Sequence, residues 1–330
     1  MPQFNAHFKK ILFILLAIHL VVATPSIAAQ GNATATQEQQ NTQQQERLNK
    51  QRDAWDKESK NLGTFQDCKL CPEMAILPPG EFIAGPRDNE DARTHEYHGP
   101  QMKVTIDYSF AIGVFEVTRD EYNVCVAAGD CQPRLGSNIS ICVDDKCEAF
   151  DIEAVDRAFE KKNDKAYPID KVSWGDAKAY VAWLSKLTGK TYRLPSAREW
   201  EYAARAGSKT IYWWGDEIGT DGKWCVDCSF RKRLRMRPTW VGRFKPNPFG
   251  LYDVEGNVTE WAEDCYEKGI KPTQVNGSPY LSGNCEERVL VGGSVINLPR
   301  QFAHSVRGGV SPKDRRRGYV GFRVVAEISN

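Results

Sequence analysis

The most informative segment for the fold is Arg193-Leu-Pro-Ser-Ala-Arg-Glu-Trp-Glu-Tyr-Ala-Ala-Arg205, because it joins an extended segment to a complete helix start. Pro195 disfavours helical backbone at the residue before it, so the chain is expected to enter extended. Ser196 and Glu199 have the spacing of a capping box, which begins a helix. A glycine typically follows a helix end, and Gly207 is in place for that role. We therefore predict a short helix from Ser196 to Gly207.

A second helix is predicted just upstream, between Ser173 and Gly189. Ser173 is followed three residues later by Asp176, which is the pattern of a helix N-terminus. Apolar residues then recur every three or four positions, as they do on one face of a helix. The predicted core-facing residues are Ala177, Tyr180, Val181, Leu184 and Leu187.

The remaining sequence predicts an irregular fold. Short apolar stretches such as Met102–Ile106 and Phe322–Ala326 alternate with turn-rich segments, and several tryptophans lie in those segments, as in Tyr212-Trp-Trp-Gly215. Strands this short, bounded by turn residues, are typical of small antiparallel sheets. The predicted fold class is α+β: irregular and loop-rich, with few helices and short antiparallel sheets.

The N-terminus has the pattern of an export signal. Lys9 and Lys10 precede the apolar run 11–22, and Ser26-Ile-Ala28 is a small-x-small cleavage site. This run is too short and wrongly flanked for a membrane span, and no later stretch is apolar enough to be one. We predict a signal peptide at residues 1–29 and a periplasmic mature protein.

Composition divides the rest of the chain in two. Residues 30–67 are rich in Gln, Asn, Thr and Lys and predict a disordered tether, whereas residues 68–330 predict one large domain. Without the signal peptide the formal charge falls from +1 to −1, because that segment contains two lysines and no acid. Such a balance argues against a nucleic-acid partner. The basic segments Arg231–Arg237 and Arg315–Arg317 are interpreted as solvated loops.

Ten cysteines lie in the predicted domain, an even number that indicates disulfides in an oxidising compartment. They fall in close sequence pairs, and local pairing is the simplest hypothesis. The expected pairs are Cys68–Cys71, Cys125–Cys131, Cys142–Cys147, Cys225–Cys228 and Cys265–Cys285. Connectivity stays open at this point. The two C-x-x-C pairs also allow a zinc site or a redox pair.

The segment Phe249-Gly-Leu-Tyr-Asp-Val-Glu-Gly-Asn-Val-Thr-Glu-Trp-Ala262 is a candidate calcium loop. Ca²⁺ takes carboxylate and carbonyl oxygens, and glycine permits the sharp turn around the ion. Asp253 and Glu260 could supply side-chain oxygens, with Gly256 and Val258 offering carbonyls. The alternative is a hydrophobic turn whose acidic residues face water.

Eight motifs together resemble the formylglycine-generating enzyme family, also called sulfatase-modifying factors, from about residue 72 to residue 327. In chain order they are Pro78-Pro-Gly-Glu-Phe-Ile-Ala-Gly85, Phe115-Glu-Val-Thr118, Pro168-Ile-Asp-Lys-Val-Ser-Trp174, the 193–205 block, Tyr212-Trp-Trp-Gly215, the 249–261 loop, Gly292-Gly-Ser294 and Gly321-Phe-Arg-Val324. The resemblance implies a compact α+β fold related to C-type lectins, together with Ca²⁺ binding. It places Asp253, Gly256, Val258 and Glu260 at one calcium site. At the family's second site Trp224-Cys225 stands where an Asn is expected, so one calcium ion is predicted.

The chain departs from the oxidase members of this family after Gly292-Gly-Ser294. Those enzymes bind Cu(I) through two cysteines in the following segment, since soft thiolates suit that ion. Here Asn297 lies where the first cysteine is expected and Phe302 lies near the position of the second, and no cysteine follows Cys285. Copper and the formylglycine-generating reaction are therefore not expected, and no catalytic residue is assigned. The groove instead offers candidate contacts for a partner: Ser294, Asn297, Arg300, Phe302, His304 and Arg307.

Three functions follow from the resemblance. The first is a non-catalytic binding or regulatory protein with a protein partner in the periplasm or at a membrane; one such relative regulates type VI secretion upstream of a Ser/Thr kinase. The second is an enzyme with an altered active site, as in siderophore maturation or iron-dependent sulfur–carbon bond formation. The third is a copper oxidase.

Overall fold

The computed structural model describes residues 60–90, 98–134, 138–143, 146–151, 166–217, 238–268, 275–282, 285–295, 307–314 and 318–328. All of these belong to one compact unit, residues 58–330. The predicted signal peptide and the tether before Lys60 lie outside the described residues. Among those described, no helix is long and apolar enough to cross a membrane.

Each helix in the described part begins with a capping box. The helices are α1 (Arg119–Ala127), α2 (Trp174–Thr188) and α3 (Ala197–Arg205). In each, a Ser or Thr side chain accepts the backbone N–H three residues on, and the acid at that position bonds back to the cap. The two helix starts predicted at Ser173 and Ser196 are confirmed.

Three details of the helices differ from the predictions. Leu187 was predicted to face the core, but it lies in the last turn of α2, beyond the packed region, and is 52% exposed. The helix predicted from Ser196 to Gly207 ends at Arg205, and its left-handed cap residue is Ala206, at φ 46°, immediately before Gly207. Helix α1 was not predicted, although Thr118 and Glu121 have capping-box spacing.

The strands are short, which confirms the predicted fold class. They are β1 (Thr64–Phe65), β2 (Met74–Leu77), β3 (Gly80–Ala84), β4 (Met102–Ile106), β5 (Phe110–Gly113), β6 (Asn138–Val143), β7 (Lys146–Asp151), β8 (Tyr192–Arg193), β9 (Thr259–Cys265), β10 (Arg288–Val291), β11 (Arg307–Val310), β12 (Val320–Gly321) and β13 (Val325–Glu327). One sheet has the order β1-β2-β5-β13-β8 and another the order β11-β10-β9-β12, while β3-β4 and β6-β7 are separate pairs. All strand pairings in the described part of the chain are antiparallel except that of β12 with β9.

Two apolar clusters form the core. One is built around aromatic rings of α1, α2 and the segment before β13: Tyr180 stacks on Tyr122 at 5.8 Å and meets Phe322 edge-on at 5.4 Å, measured between ring centroids. The other surrounds Trp200 of α3. Of the three helices, α3 is buried at every position.

Burial of α3 requires its charges to be paired inside the protein, because unpaired buried charges are costly. Glu201 accepts hydrogen bonds from the guanidinium groups of Arg198 and Arg205 and from the backbone N–H of Gly85. Glu199 is held by Arg193 through two bonds of 2.7 Å. The charged residues of the 193–205 block thus fix α3 between the sheets.

Three of the five expected cysteine pairs are disulfides in the described part of the chain: Cys68–Cys71, Cys125–Cys131 and Cys265–Cys285. The backbones of Cys142 and Cys147 lie directly opposite each other in β6-β7. Cys225 and Cys228, and with them the zinc alternative, lie outside the described residues.

Candidate functional site: buried carboxylates at the 249–262 loop

The 249–262 loop turns inside the protein and leads into β9. Asp253 and Asn257 have left-handed backbone, at φ 54° and 53°, and Gly256 has φ 95°. Such conformations are uncommon for residues with a side chain and cluster at functional sites. The backbone N–H of Gly256 donates to the carbonyl of Gly292 at 2.9 Å, so the loop docks directly on the Gly292-Gly-Ser294 turn.

Gly292 is required where the two segments meet. It has φ 88°, and a Cβ there would lie 3.0 Å from the Trp200 ring and 3.4 Å from the Val254 carbonyl. A larger residue would therefore both strain the backbone and separate the turn from α3. Ser294, at the end of this turn, is buried.

Glu260 is held by Arg323 and Trp200. Its two carboxylate oxygens accept from Nε and Nη2 of Arg323, each at 2.7 Å, and one of them also accepts from the Trp200 indole at 2.8 Å. Burial works to lower the pKa of Arg323, but Glu260 raises it above the usual value. Both side chains are fully buried, and the pair joins β9 to the segment before β13.

Asp253 has one open oxygen. Its Oδ2 accepts from the Gly242 backbone N–H at 2.6 Å, whereas Oδ1 is buried and has no hydrogen-bond partner in the described part of the chain. Burial raises the pKa of Asp253 to about 6; the Gly242 N–H and Arg323 oppose that shift. An unpaired buried carboxylate oxygen is costly, so this position calls for a proton or a cation.

A third carboxylate, Glu116, lies in the same cluster. It accepts from Nδ2 of Asn257 at 2.7 Å and from the Val258 backbone N–H at 3.1 Å. Its pKa is raised well above the usual range by burial and then by the negative charges of Asp253 and Glu260. We call Glu116, Asp253, Glu260, Asn257 and Arg323 the carboxylate cluster.

Sequence reasoning missed Glu116, Asn257 and Arg323 as members of the site. Glu116 and Arg323 stand in motifs that carried the family resemblance, Phe115–Thr118 and Gly321–Val324. The position of a charged residue in an otherwise apolar motif could have indicated them. Such a residue is expected to be buried, and a buried charge needs a partner of opposite charge or a hydrogen bond.

The fit to Ca²⁺ differs between the two predicted carboxylate ligands. Asp253 offers Oδ1, which has no hydrogen-bond partner in the described part of the chain, and Ca²⁺ prefers oxygen ligands. The carboxylate cluster contains three carboxylates and one guanidinium, that of Arg323, which is fully buried. Glu260 is engaged by Arg323 at both oxygens. No group of three or more His, Cys, Asp or Glu residues in the described ranges is arranged to hold a metal ion. The calcium site stays a prediction, and the geometry favours it at Asp253 more than at Glu260.

The candidate partner contacts fall mostly outside the described residues. This holds for Asn297, Arg300, Phe302 and His304; Arg307 is the first residue of β11, and only its backbone is described. Ser294 alone among them has a described side-chain burial, and it is buried; the backbone N–H of the next residue, Val295, donates to the Asn257 carbonyl at 3.2 Å.

Comparison with known proteins identifies the family. The family model of the sulfatase-modifying factor enzyme 1-like domain matches residues 60–328. The chain belongs to this family. The match includes every motif on which the resemblance rested, and it places the carboxylate cluster inside the family domain.

Relatives of this family member include proteins named as active and as inactive. The formylglycine-generating enzyme of Streptomyces coelicolor is 34% identical over 171 residues, 48% of this chain and 52% of that protein. The mouse protein named inactive C-alpha-formylglycine-generating enzyme 2 is 29% identical over 72% of this chain and 83% of its own length. Serine/threonine-protein kinase pkn1 of Chlamydia pneumoniae is 28% identical over 79% of this chain, but only 39% of that protein is covered.

A solved structure supports the fold. The structure of PvdO from Pseudomonas aeruginosa superposes with a TM-score of 0.65 at 32% identity, over 82% of this chain and 100% of that chain. The similarity covers the same α+β arrangement of few helices and short sheets.

Proposed function

We propose that this protein is a non-catalytic binding or regulatory member of the sulfatase-modifying factor family, exported to the bacterial periplasm. The observation that carries the proposal is the absence of any cysteine after Cys285 in the sequence. A family-type Cu(I) site needs two thiolates beyond the Gly292-Gly-Ser294 turn, and Asn297 and Phe302 cannot replace them, since neither is a soft ligand.

Two relatives support a role in regulation. The mouse relative is named inactive and matches this chain over most of its length, so the fold persists in a family member without the activity. The chlamydial relative is named a kinase, and a region similar to this chain makes up 39% of it. Within the proposal, the chain is an accessory regulator of type VI secretion that acts upstream of a Ser/Thr kinase and binds a protein partner.

The contact residues in this proposal belong to the segment that follows Ser294 in the sequence. Arg300, His304 and Arg307 supply cationic and hydrogen-bonding side chains there, which suits an acidic protein segment. The three disulfides and the export signal predicted from the sequence both support an oxidising compartment.

The proposal is tested with purified protein, Cu(I), O₂ and a sulfatase-type Cys-x-Pro-x-Arg peptide. We expect the peptide cysteine to remain unoxidised and the protein to retain no tightly bound copper. The matched control is the double variant Asn297→Cys/Phe302→Cys, which restores thiolates and should gain copper. Peptide turnover by the unaltered protein above a metal-only reaction would refute the proposal.

A second candidate is an oxidoreductase-type enzyme of the same family with an altered active site, of the siderophore-maturation or formylglycine-generating type. The observation in its favour is the pair of buried carboxyl groups with raised pKa, Glu116 and Asp253, because such groups cluster at active sites. This candidate requires the metal-loaded protein to consume O₂ when a periplasmic extract is added, whereas a binding protein should not.

A further inference from the structure

The Cys68-Lys-Leu-Cys71 disulfide lies in the connection between β1 and β2. Its two Cα atoms are 5.0 Å apart, and the bond closes a loop of only three residue steps. The Cys71 backbone N–H donates to the Cys68 carbonyl at 3.0 Å, which closes a turn across the same residues. The calcium site and the proposed partner groove make no use of this pair.

The two cysteines differ in access to solvent. Cys71 is fully buried and packs in the first core cluster, next to Met74. Cys68 is partly exposed, and Lys69 and Leu70 between them are exposed, Leu70 to 49%. A thiolate attacks a disulfide only at a sulfur that it can reach. Attack at partly exposed Cys68 is therefore favoured over attack at fully buried Cys71.

The hairpin holds the loop without help from the disulfide. On either side of the connection, Thr64 pairs with Ala75 and Phe65 with Met74. Within it, the side-chain amide of Gln66 donates to the Cys71 carbonyl at 2.7 Å. A short loop also gains little chain-entropy stabilisation from a cross-link. When the bond is reduced, the cysteines should thus stay close together, so the couple is reversible.

The other described disulfides lack this combination. Cys125 and Cys131 are both buried, so neither sulfur is open to an external thiolate. Cys265 is buried and Cys285 partly exposed, so this pair shares the difference in access, but its cysteines are 20 residues apart, and reducing the bond would release a much longer segment.

We propose that Cys68–Cys71 is a thiol–disulfide exchange site whose substrate is a protein dithiol. A substrate thiolate attacks Sγ of Cys68; the bond between Cys68 and Cys71 breaks, and Cys71 leaves as a thiolate and takes up a proton. The second substrate thiolate then attacks the substrate sulfur of this mixed disulfide and releases Cys68. Two electrons and two protons pass to the cysteine pair, and the substrate leaves as a disulfide. Exposed Lys69 favours an approaching thiolate electrostatically, and Leu70 offers apolar contact to a protein substrate.

The first test maps reduction in the full chain. The protein is incubated with reduced thioredoxin as the dithiol probe, quenched by alkylation, and analysed by peptide mass spectrometry. We expect Cys68 and Cys71 to be labelled about tenfold faster than Cys265 and Cys285, with one thioredoxin disulfide formed per pair reduced. Equal or faster labelling of Cys265 and Cys285 would overturn the proposal.

The second test uses matched variants. Cys71→Ser leaves the accessible Cys68 without its partner, so it should form a mixed disulfide with oxidised glutathione. Cys68→Ser leaves only the buried Cys71 and should form none. Equal trapping in the two variants would contradict the assigned direction of attack. Should either variant fail to fold, the mapping of the unaltered protein decides alone, and neither test depends on the proposed regulatory function.

Discussion

Glu260 and Arg323 are 63 residues apart in sequence, yet they make a two-point ion pair at the centre of the carboxylate cluster. The guanidinium also donates to the carbonyls of Gly113 and Tyr252, both at 3.0 Å. Arg323 thus satisfies a buried carboxylate and two backbone acceptors at once. It is the one cationic residue of the five that define the carboxylate cluster, and it is fully buried. Removing it leaves the negative charge uncompensated.

We therefore expect Arg323→Met to lower the free energy of unfolding by about 3–5 kcal/mol, because it breaks a buried pair and leaves one partner charged. Urea denaturation followed by circular dichroism measures the change. The control is Lys103→Met, which breaks the exposed pair with Glu81 and should cost far less, because solvent screens such a pair. Similar losses in the two variants would mean that Arg323 contributes no more than a surface charge.

At the scale of elements, helix starts are local and the contacts that place the helices are not. Helix α1 shows both. Its start is made by Thr118 and Glu121, whereas its position depends on Asp170, which lies before α2 and accepts from Arg119 at 3.2 Å and Arg134 at 2.6 Å.

Substitution of Thr118, the N-cap of α1, should have a modest effect on the free energy of unfolding. Thr118→Ala removes the hydroxyl that accepts from the Glu121 backbone N–H, and it should destabilise the protein by about 1 kcal/mol. Thr118→Ser retains the hydroxyl and should recover most of the loss. The midpoint of urea unfolding measures both. If Ser fails to rescue while Ala is destabilising, the methyl group of Thr118, and not the cap, is what matters.

The buried ion pairs of Asp170 should make the free energy of unfolding depend on pH in the acid range. Burial works to raise its pKa, but Arg134 and Arg119 lower it below 3.8. A carboxyl group whose pKa is depressed on folding stabilises the protein above its unfolded pKa, and this contribution is lost as the pH falls through the folded pKa. In Asp170→Asn the free energy of unfolding should therefore fall less steeply with pH below about pH 3.8. At neutral pH the same variant should be less stable by roughly 3 kcal/mol, because the buried ion pairs are broken.

Unfolding measured from pH 2 to pH 7 tests this expectation. Asp107→Asn, at an exposed position, is the control variant. An unchanged acid slope in Asp170→Asn would show that other carboxylates account for the acid sensitivity.

At the scale of the whole molecule, the sequence predicted the fold class, two helix starts and β4, because capping boxes and apolar alternation act over a few residues. It could not show that β12 pairs with β9 in parallel, nor that Arg323 meets Glu260, since these contacts join segments distant in sequence. Helix α1 was missed because only Tyr122 and Cys125 on it are buried, which leaves a weak apolar pattern. Asp253 was named as a ligand from its oxygen chemistry, but its open Oδ1 required the structure.

Calcium bound at the 249–262 loop should stabilise the whole fold, because a ligand of the folded state alone raises the free energy of unfolding by mass action. We propose Asp253 as the carboxylate that holds it. Adding Ca²⁺ at about 100 times the dissociation constant should raise stability by roughly 2.7 kcal/mol, and chelation should reverse the gain. Asp253→Asn should abolish the response by removing the charged open oxygen, whereas Asp107→Asn should retain it. Mg²⁺ at the same concentration should do less, because it dehydrates reluctantly and demands a stricter geometry than this loop offers. A melting temperature that neither Ca²⁺ nor chelator moves would leave the loop as a turn, with a proton on the cluster in place of a cation.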